Sequence, residues 1–368
     1  MTTPDTDFIP QMRPLFGAPE QAELMAYLDE DGFFTEFRRT EAFEHAIAAF
    51  TGARHCIVVN NGTVSLTLAA IALGISPGDE VIVPDYTMIA TPNSVKMLGA
   101  TPVFVDVEPE TLVMDIALAR RAITPRTRAI MLVSANGRAP QAGIAAWEAL
   151  ARETGLPLIE DAAQSLGSFY ADGRHVGRAG AIGSFSFSAP KIISTGQGGA
   201  LVTDDDALAA KLRRLKDFGR SGGGNDVHDS IGYNFKFTEL QACVGLAQMD
   251  QLAARVVRKK AIWQRYAGCL AGVDGIALFD HDLSLCTPWF IDCRATRRDA
   301  LAAHLKSAGI GTRTMYPPIH QQKAYALPGH YPVAEGIGQD GLWLPSMVQL
   351  TNPQIDRICA AIRAFYTR

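Results

Sequence analysis

The sequence predicts an α/β chain in which a large sheet with helices on its faces is followed by a smaller C-terminal part. Three observations predict it. Short apolar runs alternate with helical patterns through the first two thirds of the chain. Near Thr238 the texture changes to one long amphipathic stretch. At 368 residues, the chain is also long for a single core.

The strands are expected where the apolar runs are short and bounded by turn residues. In order they cover residues 56–59, 80–83, 102–105, 129–133, 158–160, 181–187 and 199–203. Between them, apolar residues at helical spacing predict helices over 64–73, 93–98, 112–122 and 144–154. Residues 239–265 then place Ala, Leu, Val and Met on one helical face, with Arg and Lys toward the end. The boundary is set there, giving a large domain over 1–240 and a small one over 241–368. The small part mixes short strands with a helix at 297–308, a proline-rich turn at 316–318 and a closing helix at 352–366. Glycine-rich residues 219–226 read as a mobile connection, because no strand precedes them and no Gly-Lys-Ser/Thr ending follows.

Composition narrows the function. Hydrophobic residues make up 48% and charged residues 20%, with a net charge of -4, so the basic excess expected of a nucleic-acid or anionic-membrane binder is missing. The six cysteines are scattered, without a Cys-x-x-Cys or a cysteine/histidine cluster at zinc spacing, which fits a reducing compartment and no metal. The first residues, Met1-Thr-Thr-Pro-Asp-Thr-Asp7, lack a basic and apolar leader, and no run approaches about 20 apolar residues. A cytoplasmic protein is expected.

Lys191 is the residue to explain. It lies in Gly183-Ser-Phe-Ser-Phe-Ser-Ala-Pro-Lys191, without a carboxylate nearby in sequence. Desolvation in such surroundings disfavours the ammonium form and favours the neutral amine that Schiff-base chemistry requires. Alternation places Phe185 and Phe187 on one face of a strand, and Ser184, Ser186 and Ser188 on the other, where hydroxyls can meet a ligand. Asp161 follows the strand at 158–160. It either caps a helix at 162–166 or holds a heteroaromatic nitrogen in its protonated form. Gln164 is one helical turn further on. The turn Asn60-Asn-Gly-Thr63 opens a helix, so Gly62 and Thr63 offer amides to an anion, although a plain cap reads as well. Tyr86, after the strand at 80–83, has a ring suited to a planar cofactor. An anion-binding turn, an aromatic, a strand-end aspartate and a desolvated lysine at one sheet edge are the parts that hold pyridoxal phosphate.

These motifs resemble the DegT/DnrJ/EryC1/StrS family of pyridoxal-phosphate-dependent nucleotide-sugar aminotransferases. The likeness rests on Asn61-Gly-Thr63, Gly78-Asp-Glu-Val-Ile-Val-Pro84, Glu160-Asp-Ala-Ala-Gln164, Ser184-Phe-Ser-Phe187 with Lys191, Gly198-Gly199, and Tyr233-Asn234 leading to Glu239-Leu-Gln-Ala242. The resemblance implies the type I aminotransferase fold, with a mostly parallel seven-stranded sheet in the large domain. It also implies that Lys191 bonds the cofactor, Asp161 pairs with the pyridine nitrogen, Gln164 meets the ring hydroxyl and Tyr86 stacks on the ring. Gly62, Thr63 and Ser186 match phosphate binders, and Asn234 matches a residue reaching the phosphate of a partner subunit, which implies a homodimer.

Lysine at position 191 argues for transamination over the dehydration carried out by a branch with histidine there. The stretches Lys191-Ile-Ile-Ser-Thr-Gly-Gln-Gly-Gly199 and Arg313-Thr-Met-Tyr-Pro-Pro-Ile-His320 are most similar to perosamine synthases. The implied reaction moves an amino group from L-glutamate, through pyridoxamine phosphate, to the C4 keto group of GDP-4-keto-6-deoxymannose. The alternatives are a dTDP- or UDP-linked keto-sugar aminated at C3 or C4, and a regulatory protein that binds the cofactor without turnover. Arg313, Tyr316 and His320 are candidates for the sugar side. Ser134 and Asn136 depart from a histidine and an aromatic common in relatives. Nearby Arg138 is either a carboxylate or phosphate ligand or a solvated turn residue.

Overall fold

The computed structural model describes residues 8–30, 32–222 and 225–367. The reading of residues 1–7 as lacking a leader, and the last two of the three glycines at 222–224, lie outside them. All seven expected strands form: β1 His55–Val59, β2 Glu80–Pro84, β3 Thr101–Val105, β4 Thr127–Val133, β5 Leu158–Asp161, β6 Ile182–Ser186 and β7 Gly199–Thr203. They make one sheet in the order β1-β7-β6-β5-β4-β2-β3. Only β7 runs antiparallel to its neighbours. A second sheet of β8 Ile276–Leu278, β9 Ile291–Ala295, β10 Arg313–Thr314 and β11 Gly341–Leu344 has the order β10-β11-β9-β8 and is antiparallel.

Twelve helices surround these sheets among the described residues. They are α1 Ala18–Asp29, α2 Arg38–Thr51, α3 Gly62–Ala72, α4 Ala90–Lys96, α5 Ile116–Arg121, α6 Ile144–Thr154, α7 Asp206–Lys216, α8 Glu239–Asp250, α9 Leu252–Leu270, α10 Arg298–Ser307, α11 Pro332–Asp340 and α12 Asn352–Tyr366. The strand period of two sorts the large sheet into two cores. Val58, Ile82, Ile130, Leu132 and Phe185 face one layer with Phe43 and Trp147, whereas Ile57, Val81, Val83, Met131 and Ile159 face the other with Leu66 and Leu68. The second sheet packs its own core against α9, α10 and α12.

Three expected helices differ. The stretch at 112–122 begins only at Ile116, because Leu112 takes a left-handed φ of 60° and Met114 pairs with Val107. Asp115 then caps the helix by accepting from the amides of Ala117 and Leu118 at 2.7 and 2.9 Å. The stretch at 239–265 is two helices, broken at Gln251, whose side chain donates to the Ala247 carbonyl and to Glu20. Residues 162–166 form turns and no helix. Gln164 is therefore carried by a turn.

Candidate active site

Parallel strands leave their carboxyl ends along one edge, and a cavity of about 340 Å³ lies there. Its walls bring together Gly62, Thr63, Asp161, Gln164, Ser186, Lys191, Arg313 and Tyr316. The size lies in the range of small-molecule sites, about 300–1,000 Å³.

Each wall has a local cause. Asn61 caps α3, its Oδ1 accepting from the Val64 amide at 2.9 Å, so the first amides of the helix face the cavity beside Ser186. A Cβ on Gly62 would stand 2.8 Å from the Ser186 Cβ; glycine is what lets α3 approach β6 so closely. Asp161 ends β5 and is buried. Its carboxylate accepts from Thr91 Oγ1 at 2.8 Å and from the Ala163 amide at 3.2 Å. Burial pushes its pKa up, against the pull of those bonds and of Lys191. Burial also lowers the Lys191 amine to about 8, against the opposing attraction of Asp161. The carboxylate that the local sequence did not supply thus comes from β5, across the fold.

Three expected residues lie elsewhere. Tyr86 is buried behind the cavity with its ring 5.8 Å from that of Tyr316, because the chain continues along the sheet, where the Asp85 amide bonds the Val105 carbonyl, before it turns. Thr87 and Met88 line the cavity in its place. His320 is also buried and away from the cavity, fixed by Asp85, which accepts from its amide at 2.8 Å and pairs with Nδ1 at 2.7 Å. Arg138 is buried and so is not a solvated turn residue. Its Nη2 is shared between Asp292 at 2.7 and 2.8 Å and His281 at 2.8 Å, all buried. Burial works against the Asp292 carboxylate, yet Arg138 and His281 hold its pKa below the ordinary value. Asn234, expected to reach a partner's cavity and not this one, is exposed and bridged to Asp217.

Two contributions escaped the sequence. Asn136, the departure noted above, has a left-handed φ of 54°; its amide donates to Gln164 Oε1 at 2.7 Å, and its side chain grips the backbone of Phe290. Trp289, from the segment before β9, closes the cavity with its ring 4.2 Å from Lys191 Nζ. No periodicity marks it, since it lies in irregular chain just before β9. Only its place in Thr287-Pro-Trp-Phe290, an aromatic pair just before a strand, offered a signal.

Comparison with known proteins identifies the family. A family model described as DegT/DnrJ/EryC1/StrS aminotransferase matches residues 16–363. A curated protein named GDP-perosamine synthase, from Caulobacter vibrioides, is 39% identical over 87% of this chain and 88% of its own. The crystal structure of DesV from S. venezuelae in complex with a ketimine intermediate aligns with a TM-score of 0.90 and 37% identity, over 95% of this chain and 94% of that one. The sugar aminotransferase Spr1654 from Streptococcus pneumoniae, solved in its PLP form, aligns at a TM-score of 0.91 and 25% identity over 98% of each. With a family match across nearly its whole length, the chain belongs to the DegT/DnrJ/EryC1/StrS family of aminotransferases, enzymes that work with pyridoxal phosphate.

Proposed function

We propose that the protein transfers the amino group of L-glutamate to the C4 keto group of GDP-4-keto-6-deoxymannose, yielding a GDP-linked 4-amino sugar for surface polysaccharide. The reading is carried by one observation: a buried carboxylate and a half-buried, weakly basic amine face one cavity that also receives the start of a helix. The likeness to a GDP-perosamine synthase supports the choice of sugar.

The residues present fit pyridoxal phosphate. The amides of Gly62 and Thr63 with the Ser186 hydroxyl would hold its phosphate, Asp161 its ring nitrogen, Gln164 its ring hydroxyl and Lys191 its carbonyl carbon. When bound, the cofactor supplies an electron sink for charge that develops on the substrate carbon. Asp161 keeps a proton on the ring nitrogen by offering it a buried negative charge. With its amine free, Lys191 Nζ would take a proton from the substrate carbon and return one, a role worth roughly 10²- to 10⁴-fold. Met88 offers a polarisable surface where an aromatic ring was expected. Arg313, exposed at the rim, and Tyr316 are the groups placed to meet the anionic substrates.

The active unit is a homodimer in this reading. Phe33, Phe34 and Ile231 are exposed at 72%, 59% and 82%, apolar surface that a second copy would cover, and Asn234 lies close by in sequence to reach the partner's cavity. We further assign a large domain over 1–240 and a small one over 241–368, and a cytoplasmic site of action. Among the described residues, no helix is long and apolar enough to cross a membrane.

The test is direct. Purified protein given L-glutamate and GDP-4-keto-6-deoxymannose should release 2-oxoglutarate and a product with one amino group, by mass. Lys191→Ala should abolish this and lose covalent cofactor while retaining weak, phosphate-anchored binding. Amination of dTDP- or UDP-linked keto-sugars alone would overturn the assigned sugar, and full activity of the lysine variant would overturn the site.

A further inference from the structure

Trp289 is held far more firmly than a core aromatic requires. Its indole N–H donates at 2.8 Å to the carbonyl of Pro190, the residue before Lys191. On the other side, Lys259 of α9 donates to the Trp289 carbonyl and, at 2.6 Å, to that of Ser346. Both backbone polar groups of the next residue, Phe290, are taken by the Asn136 side chain at 2.7 and 2.8 Å. One bond therefore fixes the ring itself and two other parts of the chain fix the backbone that carries it, and the ring face lies 4.2 Å from the Lys191 amine. Hydrophobic packing alone asks for none of these bonds.

We propose that Trp289 is a positioning residue for Lys191, its immobile indole forming the wall that confines the free amine to the cavity and keeps water from one side of it. The proposal rests on the reading of Lys191 as the cofactor lysine. A lysine side chain loses rotamer freedom against such a wall, so less must be lost when it reacts. Two electrostatic effects oppose each other. The ring face attracts an ammonium, whereas removal of water disfavours it. Burial wins, since the amine is held at about 8. The other titratable groups around the cavity are Asp161 at the end of β5, Arg313 of β10 and Tyr316 beyond it, while Lys259 stands behind the ring. All remain when Trp289 is changed.

The experiment measures how fast apoprotein captures pyridoxal phosphate covalently, by absorbance, across the neutral to alkaline range. Trp289→Ala admits water and should move the midpoint of capture upward; each unit leaves about tenfold less neutral amine at neutral pH. Trp289→Phe keeps a ring but loses the bond to Pro190, and should capture several-fold more slowly with the midpoint near that of the wild type. Wild-type midpoint and rate in both folded variants would overturn the proposal. If the alanine variant does not fold, the phenylalanine variant decides alone by its rate at unchanged melting temperature. Lys191→Ala separates the two levels. Covalent capture by that variant would remove the underlying reading, whereas its silence beside wild-type-like Trp289 variants would remove only the positioning role.

Discussion

A single amine sets the pH behaviour of this site. The free lysine value is 10.5, and burial brings Lys191 down to about 8 in the folded protein. Below about 8 the amine is mostly protonated, and each unit of pH downward removes roughly nine tenths of the remaining nucleophile. Covalent capture of the cofactor should therefore rise about tenfold per unit toward pH 8 and then level off, a profile that stopped-flow absorbance will record. A folded pKa below the unfolded one means that the unfolded chain binds the proton more tightly between about 8 and 10.5, so this group's contribution to stability rises with pH across that window. Asp161→Ala would remove the charge attraction that opposes burial, and the midpoint of capture should fall further.

Among the elements, α2 and α8 are joined through one side chain. Glu239 is the first residue of α8, yet its carboxylate accepts from the amides of Phe37, Arg39 and Thr40 at 2.7–2.8 Å, where α2 begins. A negative charge at a helix start, bonded to free amides, is favoured by both donors and dipole. Burial raises its pKa, but these bonds outweigh burial and hold it below the ordinary carboxylate value. Its stabilising contribution is thus present above the unfolded value and lost as pH falls through the folded one. Glu239→Gln should lower unfolding free energy by roughly 1–3 kcal/mol at neutral pH, with the gap closing in acid; urea titrations at the two pH values will show it. The sequence offered Glu239 only as the start of a motif, because its partners are some 200 residues away.

The same distance explains which features could be read beforehand. Strand runs such as 199–203 and the helix at 352–366, with its Thr351 capping box, are local patterns and lie where expected. Leu112 and Gln251 broke two helices because a left-handed turn and a long-range bond overrode helical spacing. In the site, Gly62, Asp161, Ser186 and Lys191 follow strand ends and were legible. Tyr86, Arg138 and His320 lie outside this cavity, beside Tyr316, Asp292 and Asp85, contacts with distant segments that no local pattern shows.

For the whole molecule, the proposed dimer predicts complementation. Lys191→Ala and Asn234→Ala chains, each impaired alone, should regain about a quarter of wild-type sites when unfolded and reassembled together, since random pairing makes about half of the dimers mixed, and each mixed dimer has both lesions in one site and none in the other. Activity no greater than the sum of the separate variants would argue against shared sites. The chain also closes on itself. Ile9 lies beside Ile310, exchanging bonds at 2.8 Å with Gly309 and Gly311, and Glu20 in α1 accepts from Gln248 at 2.7 Å. A ribosome delivers residue 9 long before residue 310 exists. The segment around Ile9 must therefore wait unseated until residues 309–311 have been made.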